Sequence, residues 1–246
     1  MIYPLYLLYS PTYGLLAVCE NHPQRLMSKL DEIAVNIELV LISLIEGVAL
    51  VILGEHIVKA LEEPDWYRYI AFGLAGLAIL LVFWAQSIMH AISFIRWPVR
   101  VEHMFLYFTA GLAQILAYSH ILSLDGWFFW WAIFSLIALG MYMLDLWIVR
   151  DSYPKFEKIS GGKEFLEKVE ERHLFEMKYL VPLALGFNVL MWITALVVPK
   201  FFQPWWIYEI PGTLQFVLSA YALYDCSKNF RIRSEMISNL FEKQKA

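Results

Sequence analysis

Glu46 stands near the middle of an apolar run, residues 33–53, within the stretch DEIAVNIELVLISLIEGVALVILGE that spans Asp31 to Glu55. An ionised carboxylate facing lipid at that depth costs about 2.5–3.5 kcal/mol on insertion scales. Glu46 must therefore face protein or water, carry a proton, or have a partner. Those are the conditions of a group that binds a cation or relays a proton. Gln114, Asn188 and Gln215 fall at the same expected depth on other apolar runs. Such groups gather where ions or substrates pass through a bundle, and also where hydrogen bonds hold helices together. For each amide alone the adhesive role is preferred; for Glu46, whose charge makes an expensive adhesive, the pathway role is preferred. Glu38, eight residues before it, shares its side of a helix only loosely.

A second polar layer lies toward one end of these runs: Glu38, His90, Glu102, His103, Asp145 and Asp225. Imidazoles and carboxylates are suitable metal or proton-relay ligands. No His-x-x-x-His or Glu-x-x-His pair lies on any run, and adjacent Glu102 and His103 point about 100° apart on a helix. Side chains reaching for the interface account for most of this layer. No metal centre and no cofactor are expected. His120 and Glu209 lie toward the opposite end.

The elements that carry these residues are six apolar runs long enough to cross a bilayer, which takes about 20 helical residues. They are 33–53, 69–92, 103–123, 127–149, 178–198 and 206–225. With 60% hydrophobic and 17% charged residues, the chain reads as an all-α, polytopic membrane helix bundle. Sixteen of the 19 Lys and Arg fall on one side of a six-span layout, which puts both termini in the cytoplasm. Residues 1–32 form an apolar segment and cytoplasmic lead-in, 33–225 the six-helix domain with a cytoplasmic loop at 150–177, and 226–246 a cytoplasmic amphipathic tail. Residues 1–19 carry no charge but contain Pro4, Pro11 and Gly14, so an interfacial segment is preferred over a seventh span. After Gly161-Gly162 the spacing of Phe165, Val169 and His173 predicts a cytoplasmic helix leading into the fifth span. Trp66, Trp97, Trp127, Trp130, Trp131, Trp205 and Trp206 read as interfacial belts. Cys19 and Cys226 make no framework and are expected as free thiols.

Net charge of −4 gives no reason to expect nucleic acid as a partner. No nucleophile elbow, P-loop, dinucleotide fingerprint or His-Glu-x-x-His is present, so an enzyme is not expected. Lys178 stands at the boundary of the fifth span, and no lysine lies deeper in a span to hold a retinal Schiff base. The leading expectation is a channel or transport-type protein for cations or protons, with its pathway around Glu46. The alternative is a non-catalytic subunit of a larger membrane complex. The expected partners are the lipid bilayer and either further copies of the chain or other membrane subunits, in a prokaryotic inner membrane.

Arg25 and Asp31 keep the spacing of the Arg-x-x-x-Phe-Ser-Asp element that enters the first span in relatives of the lysosomal potassium-leak channel, although Lys29 and Leu30 replace Phe-Ser. Phe83-Trp84 resembles that family's aromatic in span two, but Ser87 and Ile88 stand where a His pair would align. The segment from Tyr179 to Pro199 is also similar. The layout therefore resembles the six-span prokaryotic members of that family. The resemblance implies an oligomeric cation pore lined by span one, with Ile37, Leu41 and Leu44 as apolar constrictions. The missing Phe-Ser element leaves gating and selectivity open.

Overall fold

The computed structural model describes residues 22–93, 101–157, 161–198 and 205–245. The apolar segment 1–19, with Cys19, lies outside the described residues. Those described are almost entirely helical and include no strand: α1 (His22–Glu62), α2 (Tyr67–Ser93), α3 (Val101–Ser119), α4 (Leu124–Phe156), α5 (Gly162–Phe175), α6 (Val181–Val197) and α7 (Trp205–Lys245).

Among the described residues, four stretches are long and apolar enough to cross a membrane: Val35–Glu62, Tyr67–His90, Leu124–Pro154 and Gly162–Val197. The expected runs at 103–123 and 206–225 are helical over most of their length, in α3 and the first half of α7. Glu102, His103 and Gln114 in α3, and Glu209, Pro211 and Gln215 in α7, interrupt the apolar run of those two helices. The chain is thus an apolar helix bundle of membrane type.

Local chemistry explains the helix ends. Ser123 caps α4, its Oγ accepting from the Gly126 N–H at 3.3 Å and donating to Asp125 Oδ1 at 2.6 Å. Those contacts occupy an otherwise orphaned donor at the positive end of the helix dipole. Gly161 precedes α5 with φ 81°, a left-handed conformation that other residues adopt at a cost. Between α5 and α6 the chain makes a π-helical turn, Glu176–Leu180, in which the Val181 N–H reaches the Glu176 carbonyl. Helix α5, that turn and α6 form one continuous rod.

Helix α1 packs on α2 and α3; α4 packs on α3, α5 and α6; α2 pairs with α7. Two apolar cores result. One joins Ile42, Phe83, Tyr107, Val149, Phe165 and Val169, and the other Leu53, Phe72, Tyr118, Ile121, Trp127 and Trp131. A Cβ on Gly212 would stand 2.9–3.0 Å from the Phe72 ring, so only glycine lets α7 approach α2 this closely. Trp66 and Tyr67 are exposed, as belt residues should be, but Trp127 and Trp131 are fully buried. Those two belong to the core because Phe72, Tyr118 and Phe134 surround them with edge-to-face ring contacts. Apolar residues cover much of the outside, including Val40, Leu44, Val51, Leu190 and Val217.

Candidate functional site

The polar residues expected at one depth fall into two separate groups. In the first, Gln114 of α3 donates to Glu46 Oε2 of α1 at 3.4 Å and to the Tyr118 hydroxyl at 2.8 Å. Tyr118 in turn donates to the Gly76 carbonyl of α2 at 2.8 Å. Glu46, Gln114 and Tyr118 are all buried. In the second, the Trp127 indole donates to Gln215 Oε1 at 2.6 Å, Gln215 to Asn188 Oδ1 at 3.4 Å, and Asn188 to Ser135 Oγ at 3.4 Å. This chain ties α4, α6 and α7 together. Glu46 thus meets Gln114 but not Asn188 or Gln215, because α1 and α3 lie on the side of the bundle away from α6 and α7.

The layer expected near the cytoplasm converges further. His90 of α2 places Nδ1 3.7 Å from Asp145 Oδ2 of α4, and His103 of α3 places Nε2 3.4 Å from Asp145 Oδ1. His173 of α5 stacks on His90, their ring centroids 5.6 Å apart at 25°. Its Nδ1 lies 2.9 Å from the Val169 carbonyl, which fixes the proton on that nitrogen and leaves the lone pair on Nε2. All four side chains are buried. Burying three imidazoles around one carboxylate concentrates donor atoms where water cannot satisfy them.

Glu102 is exposed and takes no part in this cluster. Asp225 belongs to a neighbouring ionic group. Arg172 donates through Nε to Glu176 Oε1 at 2.7 Å and through Nη2 to Asp225. Gln86 adds a 3.4 Å contact to Glu176. The π-helical turn carries Glu176 into the interior, where its side chain is 2% exposed. Glu38 falls on α1, its side chain outside the described ones.

A cavity of about 190 Å³ lies between α2, α4, α6 and α7. Its walls are mainly apolar, with Gln86, His90 and Asp145 toward one end and Ser135, Asn188 and Gln215 toward the other. On α4 the lining runs from Trp131 to Asp145, about 21 Å at 1.5 Å per residue. Glu46 does not border it. The cavity therefore links the His–Asp cluster to the Asn188–Gln215 chain.

His173 is the functional candidate that sequence reasoning did not place in a site. Its spacing put it near one helix face with Phe165 and Val169, and all three are buried. Its partners come from α2 and α4, and no spacing along one helix reports them.

Cys226 lies just past the sixth expected span and is buried. Burial first, and then the Glu176 carboxylate, push its thiol up to about 11. The thiolate is the reactive form and is scarce at any pH well below that value. In a Cys19→Ser background, Cys226 should resist maleimide at pH 7.5 in the folded protein and react fully after denaturation. Rapid labelling of folded protein would contradict both the burial and the raised pKa.

No protein-family model, curated protein or solved structure matches this chain.

Proposed function

We propose that the chain is a six-span membrane protein, cytoplasmic at both ends, that passes protons or small cations, and that the cavity between α2, α4, α6 and α7 is its polar site. One observation carries this reading: the cavity runs about 21 Å along α4 and joins a buried His–Asp cluster to a hydrogen-bonded amide chain. Apolar walls with a few convergent polar groups are the usual make-up of a site that handles a small polar solute. The orientation rests on the charge asymmetry of the loops.

The resemblance to potassium-leak channel relatives would instead put a pore along α1 at an oligomer axis. Ile37 and Leu44 are 49% and 62% exposed in the single chain, as residues facing such an axis would be. A structural-subunit role has its own supporting observation: Glu46, Gln114 and Tyr118 bind one another, away from the cavity.

Ion flux from liposomes under potassium, sodium and proton gradients separates these readings. Asp145→Asn should change flux at least tenfold while Glu46→Gln changes it little. The reverse order would move the pathway to α1. Silence of the folded wild-type protein under all three gradients would refute transport and favour the subunit role.

A further inference from the structure

We infer that His90, Asp145 and His173 form a binding site for one divalent first-row transition metal ion, Zn²⁺ foremost, with His103 as the residue that orients Asp145. One donor atom from each of the three ligands lies within 4.8 Å of the other two, and all three side chains are buried. Tetrahedral Zn²⁺, with bonds of about 2.0–2.1 Å, holds its ligand atoms about 3.3 Å apart. His90 Nδ1 and Asp145 Oδ2 are already at 3.7 Å. Small turns of the imidazole and carboxylate groups close the remaining gap.

The outer contacts are those a metal centre needs. His173 keeps its Nδ1 proton on the Val169 carbonyl at 2.9 Å, so Nε2 is the nitrogen offered to the ion. Among the described residues that Nε2 has no hydrogen-bond partner. Asp145 uses Oδ2 toward His90 and has Oδ1 3.4 Å from His103 Nε2. A His103 N–H turned onto Oδ1 would fix the direction in which Oδ2 is presented.

Two imidazoles and one carboxylate disfavour the hard cations magnesium and calcium, which take oxygen ligands. The neighbouring charges are Arg172, Arg233, Glu176 and Asp225, two of each sign, so Asp145 leaves the pocket at net −1 before a cation enters. Both His90 and Asp145 border the cavity, so the fourth coordination position opens onto it. Three protein ligands with an open position allow exchange of water or solute at the ion.

This inference stands whether or not the cavity passes ions, and its test needs no membrane. The detergent-purified full chain is stripped with a chelator, loaded with Zn²⁺ or Co²⁺, desalted and assayed by elemental analysis. Wild type should retain about one ion per chain, and bound Co²⁺ should give the visible absorption of a tetrahedral nitrogen–oxygen site. His173→Ala and Asp145→Asn should each weaken binding at least a hundredfold. His103→Ala should weaken it about tenfold, as expected for an orienting residue. His120→Ala serves as control, because His120 bonds the Leu116 carbonyl far from the cluster. Wild-type protein of native size and melting behaviour that retains no ion would overturn the site. Equal retention by wild type and by either ligand variant would overturn it as well. Metal bound by protein silent in flux would refute the transport reading alone.

Discussion

Replacing Arg172 with alanine is expected to destabilise the folded protein by about 3–5 kcal/mol. Arg172 neutralises two carboxylates on different elements, Glu176 on the π-helical turn and Asp225 on α7. Its own side chain is 16% exposed, that of Glu176 2% and that of Asp225 18%. Without the guanidinium, Glu176 loses its direct ion pair in the interior and keeps the 3.4 Å contact from Gln86 and the charge of Arg233. The penalty is that of an uncompensated buried charge, which exceeds the value of any exposed ion pair. For a chain of this size the melting midpoint should fall by roughly 6 °C or more. Adding Glu176→Gln to Arg172→Ala should restore part of the loss, since it removes the stranded charge. Arg231→Ala, at an exposed position further along α7, is the control and should change little. If Arg172→Ala melts with the control, the ionic group does not hold the bundle together.

The second large effect is expected at Trp127. Trp127→Ala should cost about 3–5 kcal/mol through the cavity it leaves among Phe72, Tyr118 and Trp131. It also strips Gln215 of its 2.6 Å donor. Trp127→Phe keeps most of the ring volume but loses the N–H, so its cost should be about 1–3 kcal/mol, that of one buried unpaired acceptor. The order of melting midpoints should be wild type, then Trp127→Phe, then Trp127→Ala. A phenylalanine variant as stable as wild type would show that the indole donor contributes nothing to the Trp127–Gln215–Asn188 chain.

Trp127 also marks where the sequence could be read and where it could not. Length and hydropathy place a helix end near residue 127, and interfacial tryptophans do gather at such ends. Exposed Trp66 follows that rule. Trp127 and Trp131 depart from it because α2, α3 and α7 close over them, and closure depends on neighbours that hydropathy does not encode. The polar residues tell the same story. Position along a span gives height in the bundle, and heights were legible: Glu46 meets Gln114, and Asn188 meets Gln215. Height does not give the direction a helix faces, so the single expected layer separated into two groups on opposite sides. His90, His103, Asp145 and His173 come from four helices, one donor each. A search for ligand pairs along one helix cannot detect that arrangement. The regular i, i+4, i+8 spacing of Phe165, Val169 and His173 was legible as one face of a helix, because α5 intersperses charged residues among its apolar ones, and that face is buried.

The π-helical turn at Glu176–Leu180 acts as a phase setting for the rod it interrupts. One extra residue in a turn offsets everything beyond it by about 100° relative to an unbroken α-helix. Upstream of the turn the rod presents Val169 and His173 to α4 and α2; downstream it presents Asn188 to α4 and α7. Both sets face inward only because the offset is there. Regularising this segment into α-helix at unchanged length would turn one of the two sets out of the bundle by about 100°. Removing one residue as the segment regularises would keep both sets inward, because the deletion cancels the offset. The wide turn is thus how the rod holds one residue more than an α-helix of the same phase.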